Sequence, residues 1–176
     1  MIPVVTVQPV TRTNWRVALT LTVHPHQQHF IAETSPPAAV ALAKAYIQPQ
    51  GLPVRPYAIY ADDVMVGYFN LVFDPDSTDS YWLYHFFIDR RYQGSGYGGM
   101  ALEAIKELLR DDFPRCRSVS LTVHPENVVA QRLYTRTGFR PTGQVHETEG
   151  GEPIYRLDLH HDGRTPSGRQ NRLRTS

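Results

Sequence analysis

The sequence predicts a single α/β domain of the mixed (α+β) kind, built on a twisted sheet of about six or seven strands, mostly antiparallel but with one parallel pair. Three observations predict it. Two runs rich in β-branched and aromatic residues, 57–60 and 64–73, meet at Asp62-Asp63, which by length and turn chemistry is an antiparallel hairpin. The continuous apolar and aromatic run from Trp82 to Ile88 has the pattern of a central strand buried on both faces. A strand, a helix and another strand then follow in order, a crossover that sets the two strands parallel.

The bulk numbers fit one such domain. At 176 residues the chain has room for one ordinary core and not for two. With 41% hydrophobic and 20% charged residues it lies far from the composition of disorder. A net charge of +1 supplies no global field to hold nucleic acid or an anionic membrane, so the expected partner is a small molecule or a protein. Cys116 is the single cysteine, which excludes an intramolecular disulfide and a thiolate metal cluster and suits a reducing compartment. No basic segment with a following apolar stretch opens the chain, and no run approaches the roughly 18 apolar residues of a membrane span. A cytoplasmic location is therefore expected.

Element by element, Val4 to Val7 reads as a short strand. Thr11 to Asn14 then offers capping residues for a helix carrying Trp15, Val17, Ala18 and Leu21. A second helical region lies between His26 and Tyr46, divided near Thr34 to Pro37 because Pro36 and Pro37 cannot sit inside a helix. After the hairpin and the central strand, Met100, Ala101, Ala104, Ile105, Leu108 and Leu109 recur at helical spacing over 97–110. Val119, Leu121 and Val123 alternate with polar residues as a strand. A helix at 127–137 and strands near 139–146 and 153–160 follow, the last two separated by Gly150-Gly151. The domain is placed at 1–162. The basic tail 163–176 is expected to be disordered, having Gly, Pro, Ser and four arginines without periodicity.

The segment Gln93-Gly94-Ser95-Gly96-Tyr97-Gly98-Gly99 sits between the central strand and the amphipathic helix. Glycines let backbone approach an anion closely, and N–H groups at a helix N-terminus converge on it with the helix dipole behind them. The plainer reading is a glycine-rich turn. Gly94, Gly96 and Gly99 also satisfy the dinucleotide pattern, but two antiparallel strands precede it and no acidic residue stands at the ~20-residue offset, which disfavours a nicotinamide or flavin site.

Gln93 to Gly98 resembles the Q/R-x-x-G-x-G/A signature of the GNAT acetyltransferases. The next crossover, with Asn127, Ala130, Tyr134, Gly138 and Phe139, looks like that family's second signature. The resemblance covers about residues 3 to 160. In the segments Gln27 to Ala32, Trp82 to Ile88 and Tyr92 to Gly98 it is similar to bacterial spermine/spermidine (diamine) acetyltransferases. It implies the GNAT acyl-CoA N-acyltransferase fold, with the parallel pair splayed around acetyl-CoA, and transfer of acetyl to a primary amine by direct attack in a ternary complex. The backbone of Phe86, Phe87 and Ile88 would pair with the pantetheine arm, and N–H groups from Gln93 through Gly94, Ser95, Gly96, Tyr97, Gly98 and Gly99 would hold the pyrophosphate. Asn127 would contact the pantetheine and Tyr134 would reach the thioester sulfur. Plainer roles stand beside these: core packing for Phe86 and Ile88, a helix N-cap for Asn127, a packed aromatic for Tyr134.

Acetylating an alkyl amine needs a base, because the ammonium form with a pKa of about 10 is not a nucleophile. Tyr134 suits the acid and His85 is the base candidate, with a hydrogen-bonded core histidine as the alternative. Glu33, Glu147, Glu149 and Glu152, with Trp82 and Tyr84, are the groups expected to hold a cationic amine by charge and cation–π contact, or else a solvated loop. The expected acceptor is a polyamine such as spermidine or spermine. A protein N-terminus, an antibiotic amine or an amino acid stands as the alternative acceptor, and a non-catalytic acyl-CoA-binding module as the alternative class. No metal is expected. Members of the family are often homodimers, and the sequence leaves the oligomeric state open.

Overall fold

In the computed structural model, residues 1–147 and 150–159 are described. Strand β1 (Val5–Pro9) pairs antiparallel with β2 (Val54–Ala61), which turns into β3 (Val64–Phe73) as the expected hairpin. Asp62 adopts φ 51°, the positive value that a two-residue hairpin turn demands and that an aspartate tolerates. Its carboxylate also accepts the N–H of Val4 at 3.0 Å, fastening β1 to the turn.

Four short or medium helical pieces lie between β1 and this hairpin. The expected first helix is only the four residues of α1 (Trp15–Ala18). Asn14 does not cap it: its Oδ1 accepts the N–H of Thr11 at 2.8 Å, and its amide donates to the Pro9 carbonyl and the Tyr60 hydroxyl. The second region divides as the prolines require, into a 3₁₀ turn at Pro25–Gln27, α2 (Gln28–Ile31) and α3 (Pro37–Ile47), the last opening with proline at its first position.

Strand β4 (Tyr81–Ile88) leads into α4 (Tyr97–Asp112), β5 (Ser118–Thr122), α5 (Val128–Arg136), β6 (Arg140–His146) and β7 (Glu152–Asp158). Among the described residues the strands form one sheet in the order β1-β2-β3-β4-β5-β7-β6, which puts β4 at its centre. β4 and β5 are parallel but are paired only at Trp82 and Ser120, so they separate beyond that point. The final hairpin docks through its second strand, β7 lying antiparallel against β5.

A bulge interrupts β4. Tyr68 pairs with Phe87 and Asn70 with Tyr84, so Phe69 faces both His85 and Phe86. The extra residue reverses the alternation of side chains along the strand. Leu83 before it and Phe86 and Ile88 after it therefore all join the same core, under Ala101, Leu102, Ile105 and Leu109 of α4. Leu102, outside the predicted stripe, is buried, whereas Met100, Ala104 and Leu108 of that stripe are only partly buried. On the opposite face Phe87 packs with Tyr68, Ala18, Leu21 and Ala41 beneath α1 and α3. Among the described residues no helix is long and apolar enough to cross a membrane.

Candidate active site

The glycine loop begins at Asp89, which is 1% exposed and caps the 3₁₀ turn Arg90–Tyr92. Its carboxylate accepts the N–H groups of Thr22 and Arg91, each at 2.9 Å, and the Arg91 guanidinium at 2.8 Å. Burial alone would raise this carboxyl, but the Arg91 side chain and the two N–H donors outweigh it and hold it below the ordinary aspartate value. The Gln93 amide donates to the carbonyl of Ile88 at 2.9 Å and exchanges hydrogen bonds with the Gln27 amide at 2.9 and 3.1 Å. Its side chain is thus a clasp between the loop and the segment before α2.

Gly94 and Gly96 have φ of 79° and 84°, a region closed to most side chains. Gly96 is the N-cap of α4, and the first helical bond runs from Met100 N–H to the Gly96 carbonyl. The N–H groups of Tyr97, Gly98 and Gly99 therefore have no partner within the helix and point out of its positive end. Gly98 serves packing as well: a Cβ there would lie 3.0 Å from the Leu133 side chain of α5. The cradle has the form of an anion site, and beside it the C-terminal half of β4 is not paired with β5.

A cleft of about 470 Å³ opens where the two strands part. One wall is α2 and the turn after it, with Gln28, His29, Phe30, Ile31 and Glu33; the floor includes Tyr84, His85 and Phe86; the other wall has Thr122 to His124, Asn127, Ala130 and Tyr134. Tyr134 is 7% exposed, with its ring 6.2 Å from Phe86 and 5.7 Å from Phe139. Burial pushes its phenol well above its ordinary value, so it stays protonated. Among the described residues its hydroxyl has no hydrogen-bond partner, and it lines the cleft.

His85 is the bulge residue, with φ 53°. Its Nδ1 lies 2.7 Å from the Ile31 carbonyl, which can only accept, so the proton belongs on Nδ1 and the basic lone pair of the neutral ring on Nε2. Asn127 is the N-cap of α5, its Oδ1 accepting Ala130 N–H at 3.2 Å, and it also lines the cleft. Glu33 is ion-paired with Lys44 at 3.0 Å. A backbone hydrogen bond first, and Lys44 second, hold its carboxyl below the ordinary value.

The predicted acceptor residues do not all converge. Tyr84 and Glu152 line the cleft with Glu33. Trp82 stacks on Tyr84 at 6.1 Å and meets the His146 ring edge-on at 5.4 Å, outside the cleft lining. Phe87 faces the opposite core. Glu147 is exposed away from the cleft, and Glu149 lies outside the described residues, as do residues 160–176. Sequence reasoning missed His29, Phe30, Lys44, Asn70 and His124 as cleft residues. His29 and Phe30 lie in the segment Gln27 to Ala32 that carries part of the family resemblance, and His124 stands just past the end of a predicted strand on the crossover that leads to Asn127.

A cradle of helix N–H groups, a parted pair of parallel strands, and a cleft offering a protonated phenol and a basic imidazole suit group transfer from a phosphate-bearing carrier. Comparison with known proteins agrees. Residues 17–139 match the acetyltransferase (GNAT) family. Over 145 residues the chain is 31% identical to a spermine/spermidine N(1)-acetyltransferase of Bacillus subtilis strain 168, covering 80% of this chain and 91% of that protein. A Vibrio cholerae spermidine N-acetyltransferase in complex with CoA and spermine superimposes with a TM-score of 0.64 at 15% identity, over 87% of this chain and 93% of that one. An aminoglycoside acetyltransferase in complex with coenzyme A gives a TM-score of 0.70 at 20% identity, over 88% and 94%. The chain therefore belongs to the GNAT family, and is an acetyl-CoA-dependent N-acetyltransferase.

Proposed function

We propose that the acceptor is a primary amine of a polyamine, spermidine or spermine, which attacks directly while both substrates are bound. The observation that carries this reading is the cleft itself, in which Glu152, and Glu33 beside its Lys44 partner, supply carboxylates and Tyr84 an aromatic face to the same space that His85 and Tyr134 line. Carboxylates and aromatic rings together are what a flexible polycation binds. The 31% identity to a protein named for spermine and spermidine points the same way.

Bound acetyl-CoA supplies the activated acetyl thioester. Backbone groups of Phe86 and Ile88 and the N–H groups from Gln93 to Gly99 are the groups to hold it. Because the Gln93 side chain is engaged in its clasp and the Ile88 carbonyl already accepts that amide, these two residues contribute chiefly through backbone N–H. Asn127 adds a polar contact beyond its capping role. His85 Nε2 takes the proton that an ammonium of pKa about 10 must lose, directly or through water. Tyr134 holds a proton for the departing sulfur. Burial weakens the phenol as an acid, but it also makes a thiolate desolvated beside it more basic, so the two remain matched.

Release of free coenzyme A, followed with a thiol-reactive dye against spermidine, spermine, diamines, amino acids and aminoglycosides, tests the acceptor. Saturable turnover with spermidine or spermine is expected, with KM raised in a Glu152→Gln variant. Turnover confined to aminoglycosides or amino acids overturns the polyamine reading. So does silence across the panel while acetyl-CoA still raises the melting temperature.

A further inference from the structure

His29, His124 and Glu126 stand together at the mouth of the cleft, and acetyl transfer uses none of them. One ligand-type atom from each, two imidazole nitrogens and a carboxylate oxygen, lie within 4.8 Å of one another. His29 belongs to α2, on one wall; His124 and Glu126 belong to the loop between β5 and α5, on the other. The His29 and His124 rings meet edge-on at 5.5 Å, and Phe30 packs against both, at 4.0 and 5.0 Å. Glu126 and His124 also share a surface depression with Glu152.

Two imidazoles and a carboxylate form a donor set suited to zinc and the neighbouring late first-row divalent ions. Bonds of about 2.1 Å to a tetrahedral ion bring donor atoms to about 3.4 Å from one another, so the cluster must tighten by rotamer changes. His29 and Glu126 are exposed and free to make them. His124 Nδ1 accepts the Glu126 N–H at 3.1 Å, which leaves the proton of the neutral ring on Nε2. Ligation through either nitrogen therefore gives up this one solvent-accessible hydrogen bond, a small loss beside the zinc–imidazole bond that replaces it. Phe30 supplies an apolar backing that limits how far the two rings turn.

We propose that His29, His124 and Glu126 form a zinc-class divalent-cation site that ties α2 to the β5–α5 loop across the cleft mouth and, when loaded, opposes entry of the amine acceptor. The opposition has two sources. The ion fixes two walls that the acceptor must pass between, and it sets a positive charge beside Glu152, where a cationic amine would otherwise be attracted. That second half rests on the cationic-acceptor reading above; the binding of the ion does not.

Zinc is titrated into the untagged, full-length chain, without substrate, against a chromophoric chelator. Binding of one equivalent at the cluster is expected. His29→Ala and His124→Ala should each weaken it by about tenfold or more and Glu126→Gln by less. A His24→Ala, His26→Ala double variant should keep it, although those two rings stack at 5.7 Å nearby. Unaltered melting temperatures of the variants show that they fold. Unchanged affinity in a His29→Ala, His124→Ala double variant overturns the site, as does the absence of stoichiometric binding to the parent. Zinc should then raise KM for whichever amine the enzyme turns over several-fold, leave KM for acetyl-CoA alone, and lose this effect in His29→Ala. Stoichiometric binding at these residues with no change in that KM keeps the metal site and overturns its role at the cleft mouth. If spermidine proves not to be a substrate, the binding titration stands unaffected, so the two failures are distinguishable.

Discussion

The two walls of the cleft are held by different forces. The α5 wall is fixed by packing: Tyr134 and Phe139 are buried, Leu133 presses on Gly98, and Lys106 donates to the Thr137 carbonyl at 2.6 Å, placing a cation at the helix C-terminus. The α2 wall buries no residue of its helix fully. It is held by side-chain hydrogen bonds: Gln28 to the carbonyls of Ala32 and Thr34, His85 to that of Ile31, and Gln27 to Gln93. A packed wall loses stability steeply and cooperatively when disturbed, whereas a hydrogen-bonded one shifts locally at about 1 kcal/mol per bond. Tyr134, the proposed acid, sits on the rigid wall, and the wall proposed to meet the acceptor is the adjustable one.

The sharpest test of rigidity is Gly67 of β3. A Cβ there would lie 2.5 Å from the Phe87 carbonyl oxygen, a backbone atom of β4 just past the bulge. Gly67→Ala must push β3 and β4 apart, and we expect a loss of about 3 kcal/mol in urea unfolding, with lower turnover because the bulge moves. A loss below 0.5 kcal/mol would show that the floor of the cleft yields more than its packing suggests. Next in size is Tyr134→Phe, which keeps the ring and removes only the hydroxyl. It should lower kcat about 100-fold, with the melting temperature and KM for acetyl-CoA nearly unchanged. Unchanged kcat removes Tyr134 from the acid role.

The same contrast explains what could be read from the sequence. The rigid half is encoded locally: a strand, a glycine loop and a helix in succession, placed by periodicity and turn chemistry, with Asn127 and Tyr134 marked on the next crossover by their resemblance to the GNAT signature. The bulge at His85 left no trace. It carries no glycine despite its positive φ, and a bulge exists only in the register between β3 and β4, which alternation along one strand does not contain. The insertion of β7 between β5 and β6 is likewise a matter of pairing between segments distant in sequence. So is the cleft mouth, where Phe30 of α2 meets His124 of the β5–α5 loop. For the same reason the two aromatics expected at the acceptor part company: Tyr84 lines the cleft, and Trp82, two residues earlier on the same face, packs against His146 outside its lining.

Two predictions address the joint between the walls. Asp89 ties Thr22 to the start of the glycine loop, and its carboxyl is held below the ordinary aspartate value of 3.8. A group with a depressed folded pKa stabilises the native state fully above its unfolded value, and that contribution disappears as pH falls through the folded one. Stability measured by urea unfolding should therefore fall below about pH 4, and Asp89→Asn, less stable at neutral pH by about 2 kcal/mol, should show a flatter profile in that window. An equally steep profile in the variant would assign the acid loss to other carboxylates. Gln27→Ala opens the amide clasp on Gln93. It should cost about 1 kcal/mol and raise KM for acetyl-CoA a few-fold, since Gln93 then no longer holds the loop against the segment before α2.

The smallest effect on stability should come from the adjustable wall, and it is also the most informative about the acceptor. Lys44 and Glu33 both line the cleft, and their side chains, 36% and 67% exposed, form an ion pair that the solvent largely screens. Removing it by Lys44→Ala should alter stability by less than about 1 kcal/mol. It nevertheless takes a positive charge from the cleft and leaves the Glu33 carboxylate unopposed. A cationic acceptor should then bind better, with KM for spermidine lowered about two- to fivefold at low salt and the difference shrinking as ionic strength rises. A neutral or anionic acceptor gives the opposite sign or none. The direction of one KM change, measured at two salt concentrations, therefore reports whether the side of the cleft that carries Glu33 and Lys44 meets a cation.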